Sequence, residues 1–180
     1  VGGLGTEVET RKLTTLVQSL GLTPTTHAVV VYSGADATDF GAAARVYWTL
    51  KVLGLKELSI LNGGDQAWTK AGLPLSKEAT KLAASNFQPA IDGTQLATKE
   101  EVQQRVKSGD SVLLDARPAS FFNGEVRAPA AKVAGTLPGA VNFTHDKWFA
   151  NGSSTFVSTE QAKQIAASSP INPAKETVSF

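Results

Sequence analysis

Residues 29–75 read VVVYSGADATDFGAAARVYWTLKVLGLKELSILNGGDQAWTKAGLPL, and this stretch decides the fold. It lies on an apolar run, residues 28–32, whose length and β-branched content predict a strand buried on both faces. A loop of small and polar residues, 33–39, follows and carries Gly34, Asp36 and Asp39. Phe40, Ala44, Tyr47, Trp48, Val52 and Leu53 then recur at three- and four-residue steps, which predicts a helix stopped by Gly54. A second apolar run, 58–61, ends at Asn62-Gly63-Gly64, and a shorter helix carrying Trp68 ends at Gly72-Leu73-Pro74. Strand, loop, helix, strand, turn, helix is the alternation of a parallel α/β sheet.

Composition bounds what such a chain can do. At 180 residues and 42% hydrophobic it suits one ordinary domain or two small ones with a real core. Its 17 Lys and Arg against 16 Asp and Glu, scattered among one another, give no electrostatic case for nucleic acid. No apolar run approaches a membrane span. Without a cysteine, neither a disulfide nor a thiolate metal site can be drawn from these residues, and no metal is expected. Starting at Val1, without Met or a signal-peptide pattern, the chain is expected to be a truncated or processed product.

On the N-terminal side, Thr6-x-x-Glu9 has capping-box spacing for a helix with Val8, Leu13, Leu16, Val17 and Leu20 on one face, ended by Gly21. His27 reads as a solvent-edge residue before the first strand. The loop 33–39 sits where an open α/β sheet puts its ligand, beyond the carboxyl end of a strand and at a helix N-terminus. Ser33 has no His placed as its base, and Asp36 and Asp39 add negative charge that opposes an anion there.

On the C-terminal side, residues 77–97 have mixed polarity and read as an interdomain linker crossing a surface, with Phe87 and Ile91 tacked onto it. Thr98-x-x-Glu101 opens a helix that Gly109 stops. Residues 111–115, SVLLD, read as a short buried strand with Asp115-Ala116-Arg117-Pro118 at its carboxyl end. A guanidinium there can offer fixed donors to a sulfonate or carboxylate, or it can pair with Asp115 and loop carbonyls. Arg127 is either a second anion contact or a solvated loop residue. His145 and Asp146 are sequence neighbours whose side chains diverge on a helix, so they form no dyad. Trp148 and Phe149 are expected in the core. Ser158-x-x-Gln161 caps a last helix, and residues 176–180 begin a strand like the run at 29–32.

The first half resembles the closing half of a rhodanese domain: VVVY, Arg45-Val46-Tyr47-Trp48, Leu53-Gly54 and, most specifically, LNGGDQAW followed by AGLPL. The second half, DARP, then F-x-G, then AGTLPGAVN, is similar to the opening half of another. The resemblance implies an α/β chain of two rhodanese-like domains, each a parallel sheet flanked by helices and each incomplete here. Residues 1–76 would be the C-terminal half of an inactive domain and 98–180 the N-terminal half of a catalytic one. Active rhodanese domains carry their nucleophilic cysteine in the loop that here holds Ser33, Gly34 and Asp36. The resemblance therefore implies a degenerate first loop, and a catalytic cysteine just after Phe180. It also implies that Arg117, with Asp115 beside it and Arg127 as a further contact, binds the donor's anionic group. The family's Gly-His-Ile-Pro-Gly-Ala is here Gly135-Thr136-Leu137-Pro138-Gly139-Ala140, without the histidine.

For function, the resemblance implies a thiosulfate or 3-mercaptopyruvate sulfurtransferase. A cysteine persulfide would carry sulfane sulfur from a small anionic donor to a thiophilic acceptor such as cyanide, with no cofactor. The remainder of the same polypeptide would be needed to complete both domains, and the 180 residues alone should be inactive. Two alternatives stand beside it: a non-catalytic rhodanese-like binding module, and a cysteine phosphatase of related fold with a longer reactive loop. A protein of the bacterial periplasm and one of the cytoplasm would read alike over these residues.

Overall fold

The computed structural model describes residues 7–150 and 152–180, and the side chains from residue 10 onward. The Thr6-x-x-Glu9 capping box and Val8 thus lie outside the described side chains. The chain divides into two compact units. The first comprises residues up to Leu96 together with Gly152–Thr155, and the second comprises the rest.

In the first unit, α1 (Glu7–Ser19), β1 (Ala28–Val30), α2 (Ala37–Val52), β2 (Leu58–Ile60) and α3 (Gly64–Lys70) follow one another. β1 and β2 pair in parallel, Ala28 opposite Leu58 and Val30 opposite Ile60, with α2 as the crossover that a parallel pair requires. The core is Val17, Leu53, Leu55 and Phe87, joined by Leu13, Leu22, Ala28, Leu50 and Leu58. Residues 77–96 stay with this unit: Phe87 is buried, Gln18 Nε2 donates to its carbonyl at 2.9 Å, and Ser85 Oγ donates to Leu22 O. Two expectations fail. Val29 and Val31 are each 51% exposed, so β1 is not buried on both faces. Its only ladder partner among the described residues is β2, and nothing there covers both sides of a two-stranded ribbon. Leu16 and Leu20 are about as exposed, because α1 buries a narrower stripe centred on Val17.

The glycines of LNGGDQAW have a geometric reason. Gly63 and Gly64 take φ of 78° and 59° in succession, a conformation that residues with a Cβ rarely adopt. A Cβ on Gly64 would lie 2.4 Å from Tyr32 O and 2.6 Å from Gly34 N. This close approach lets the first amides of α3 reach back, Asp65 N to Tyr32 O at 2.8 Å and Gln66 N to Ser33 O at 3.1 Å. The turn after β2 is thereby fastened to the loop after β1. At the other end of α3, Trp68 Nε1 donates to Pro74 O at 2.9 Å, tying the AGLPL segment back onto the helix. Tyr32 Oη donates to Ser154 O at 2.8 Å and accepts from Gly63 N, while Ser154 Oγ donates to Gly34 O.

The second unit contains α4 (Lys99–Ser108), β3 (Val112–Asp115), α5 (Ala119–Phe122), β4 (Val141–Asn142), α6 (Thr159–Ser168) and β5 (Thr177–Ser179). Its strands run parallel in the order β4-β3-β5, with Asp115 opposite Asn142 and Leu114 opposite both Val141 and Ser179. Both expected capping boxes form: Thr98 with Glu101 opens α4, and Ser158 with Gln161 opens α6. Gly109, at φ 68°, closes α4. Arg105 then holds α4 against the start of β5 through paired bonds to the Glu176 carboxylate. Phe149 is buried and stacks on Phe156 with ring centroids 5.0 Å apart. Phe143 meets Trp148 edge-on.

Candidate functional site at the strand ends

In a parallel sheet the strand carboxyl ends gather on one edge, and side chains just beyond them face a common space. In the second unit β3 and β5 end together. Phe180 N donates to Leu114 O at 3.1 Å, and Ala116 N donates to Phe180 O at 3.3 Å. The first residue outside β3 on this edge is Ala116, and the next is Arg117.

Asp115 is fully buried, and its carboxylate accepts four hydrogen bonds. Arg117 supplies three: its amide (3.0 Å) and Nε (2.9 Å) reach Oδ1, and Nη2 (2.6 Å) reaches Oδ2. Thr136 Oγ1 donates the fourth to Oδ2 at 2.7 Å. These bonds, the Arg117 guanidinium's first, hold the Asp115 carboxyl below the usual carboxylate range against the opposing effect of its burial. The same pairing raises the Arg117 guanidinium further, so both groups are charged at neutral pH. Nη2 also donates to Gly135 O at 2.9 Å, and the guanidinium lies 6.0 Å from the Phe121 ring centre.

One edge of the fork is thus committed to Asp115 and Gly135. Nothing among the described residues accepts from Nη1, and the Arg117 side chain is 37% exposed. Arg117 is therefore paired with Asp115 and a loop carbonyl, the structural one of the two roles its sequence leaves open. Arg127 is placed differently. Its Nη1 donates to Ala131 O within its own exposed loop, and no bond joins it to Asp115 or Arg117.

The loop of the first unit handles charge in the opposite way. Asp36 caps α2, accepting from Asp39 N at 2.8 Å. Asp39 does not merely repel an anion; its own carboxylate occupies the loop's donors. Oδ2 accepts from Ser33 Oγ (2.7 Å), Gly34 N (2.9 Å) and Ala35 N (3.1 Å). The Ser33 hydroxyl first, and the Ala35 and Gly34 amides with it, hold that carboxyl below its ordinary value. Ser33 donates its proton to a carboxylate and has no imidazole within bonding distance; His27 Nε2 is instead 2.8 Å from Ser59 Oγ.

Three residues of the second strand-end site carry no signal that their chemistry alone would reveal. Thr136 stands where the resembling motif has His, and it is the second side chain that binds the Asp115 carboxylate. Asn142 Nδ2 donates to Asp115 O and to Arg117 O, both at 2.9 Å. His145 N donates to Ala116 O at 3.0 Å, and its Nδ1 lies 3.1 Å from the same oxygen. The parallel register beside Asp115 is what brings Asn142 in, and that register is not written in either short strand. Among the described residues no group of three or more His, Cys, Asp or Glu side chains could hold a metal ion. No helix there is long and apolar enough to cross a membrane.

No family model matches the chain. Among curated proteins, it is 37% identical over 126 residues to the thiosulfate sulfurtransferase of Gallus gallus, covering 70% of this chain and 43% of that one. It is 31% identical over 125 residues to the 3-mercaptopyruvate sulfurtransferase of Rattus norvegicus, covering 69% of this chain and 41% of the relative. The chain thus spans less than half the length of these relatives. Among solved structures, the Escherichia coli protein SseA, described with the rhodanese fold of 3-mercaptopyruvate sulfotransferases, superposes with a TM-score of 0.75 at 23% identity. That match covers 93% of this chain and 61% of SseA. An anaerobic ergothioneine biosynthesis enzyme from Chlorobium limicola gives 0.76 at 23% identity, over 95% of this chain and 45% of that one. The chain has the rhodanese fold and is related in sequence to the thiosulfate and 3-mercaptopyruvate sulfurtransferases.

Proposed function

We propose that the polypeptide carrying this sequence is a sulfurtransferase, moving sulfane sulfur from thiosulfate or 3-mercaptopyruvate to a thiophilic acceptor through a cysteine persulfide. The observation that carries this is the meeting of the β3 and β5 ends beside a paired, partly exposed Arg117, in a chain whose sequence relatives are sulfurtransferases. A cysteine directly after Phe180 would stand at that edge, in the position that an α/β sheet gives its reactive groups. With thiosulfate, its thiolate attacks the outer sulfur. The new S–S bond forms as the old one breaks, and sulfite leaves with the electron pair. Cyanide then takes the terminal sulfur as thiocyanate and returns the thiolate. Arg117 Nη1 would bind the donor's anionic end, with Asp115 holding the guanidinium in place. Arg127 would be an outer contact. Residues 98–180 would be the opening half of the catalytic domain and 1–76 the closing half of an inactive one, its loop at Ser33, Gly34 and Asp36 degenerate. Residues 77–97 would be the linker, pinned by Phe87.

The test is thiocyanate release from thiosulfate and cyanide. The 180-residue chain should give none above the uncatalysed rate. The polypeptide extended beyond Phe180 should turn over, and its Cys→Ser variant should not. An extended polypeptide without a cysteine in that loop, or activity surviving the Cys→Ser change, refutes the proposal.

A further inference from the structure

We propose that Asn142 is the residue that positions Arg117 for an anionic sulfur donor; this rests on the function proposed above. The backbone of Asp115-Ala116-Arg117 leaves the sheet after Asp115, so the Ala116 and Arg117 carbonyls have no ladder partners and must be satisfied otherwise. Phe143 N and Asn142 Nδ2 take Asp115 O, His145 N takes Ala116 O, and Asn142 Nδ2 takes Arg117 O. Asn142 is the side chain that bonds both ends of this tripeptide. The two hydrogens of one carboxamide nitrogen diverge, so they reach two carbonyls and fix the turn between them.

That turn decides where the guanidinium stands. The Arg117 amide and Nε both bind Asp115 Oδ1, so a rotation of the Arg117 backbone moves one of these bonds off its acceptor. With the turn fixed, Nε and Nη2 face Asp115 while Nη1 keeps its donors. A small dianion with oxygens at one end and a transferable sulfur at the other suits such a half-used fork. Without the clamp the same ion pair can form, but over a spread of positions, and a misplacement on the order of 1 Å costs binding and rate.

The experiment is ¹⁵N NMR of the polypeptide extended beyond Phe180, following the Arg117 Nε–H signal during a thiosulfate titration. Wild type is compared with Asn142→Ala and with the milder Asn142→Ser, which keeps one short donor. In wild type, Arg117 Nε–H should be protected from solvent exchange and should shift on adding thiosulfate. In folded Asn142→Ala its exchange should quicken and the thiosulfate affinity should fall about tenfold or more, with Asn142→Ser between the two. Because the signal belongs to folded molecules, a loss of global stability does not mimic this result. If Asn142→Ala fails to fold, Asn142→Ser is read by the same signal. Unchanged Nε–H exchange and affinity in the folded variants overturn the proposal. If thiosulfate leaves Arg117 unmoved in wild type, the donor assignment falls. The Nε–H exchange of the variants separates that failure from a failure of the clamp.

Discussion

Asp115→Asn replaces a buried carboxylate with a neutral group of the same shape, and the structure sets what is lost. Of the four bonds to Asp115, the two on Oδ1, from Arg117 N and Nε, survive on the amide oxygen. The two on Oδ2, from Arg117 Nη2 and Thr136 Oγ1, would meet an NH₂ group. Thr136 can rotate and accept instead, but Nη2 then faces a donor. Hydrogen bonds to a charged group contribute roughly 1.5–3 kcal/mol each. The 37% exposure of Arg117 lets water recover part of this, so the loss should settle at about 2–3 kcal/mol. Native-state hydrogen exchange at Phe143 and Phe180, whose amides bond Asp115 O and Leu114 O, reads it locally. At tenfold per 1.4 kcal/mol, protection should drop roughly 30- to 150-fold at pH 7.

The pH dependence supplies the check. The Asp115 carboxyl is lowered in the folded chain, so it contributes stability that is fully present above the unfolded value of about 3.9. That contribution is lost as pH falls through the folded value. The gap between wild type and variant in urea unfolding should therefore hold from pH 7 to pH 5 and narrow below about pH 4. A gap that stays constant down to pH 3, or a variant as stable as wild type at pH 7, refutes the account of this pair.

Gly64→Ala forces a Cβ to 2.4 Å from Tyr32 O at φ 59° and should destabilise the first unit by more than about 1 kcal/mol. Gly41→Ala, inside α2 with nothing within 4 Å of its new Cβ, should stabilise it by about 0.5–1 kcal/mol. Thermal unfolding of the two variants ranks them, and equal effects would remove the packing argument. Leu53→Ala, at a fully buried core position, should lose about 2–5 kcal/mol in urea unfolding. Asp39→Asn weakens the acceptor for Ser33 Oγ, Gly34 N and Ala35 N, so exchange of the Gly34 and Ala35 amides should quicken at pH 7. Since the Asp39 carboxyl is lowered, the difference between the proteins should shrink as pH falls below about 4. Unchanged amide exchange would show that Asp39 does not hold the loop.

What the sequence shows and hides follows from how local each cause is. Both described capping boxes lie within four consecutive residues, and both form where the spacing puts them. The Gly-Gly of LNGGDQAW was legible as a motif, but its cause, the approach of Gly64 to Tyr32 and Gly34, spans about thirty residues. Strand cover is less local still. The run at 28–32 has the composition of a doubly buried strand, yet Val29 and Val31 are half exposed, because composition does not say which neighbours pack on a face. Asp115 and Arg117 were legible, being two residues apart at a strand end. Asn142 reaches the backbone of their turn from 27 residues away through sheet register, and Thr136 reaches the Asp115 carboxylate from 21 residues away through the loop path.

The two strand-end loops make one argument about charge. Beyond β1, loop amides and the start of the long helix α2 lie together, an arrangement that favours an anion. In the first unit the chain supplies that anion itself. Asp39, in the first turn of α2, takes the Ser33 hydroxyl and the Gly34 and Ala35 amides, so an external anion would have to displace a covalently tethered competitor. In the second unit the internal carboxylate lies below the edge, buried at Asp115, and binds one side of a cation whose other side stays available. A carboxylate alone closes the first loop, while in the second a carboxylate is matched to a cation. The difference rests on position and on the partner: a carboxylate within the loop fills its neutral donors, while a carboxylate at the end of the strand holds one side of an arginine and leaves Nη1 outside the pair.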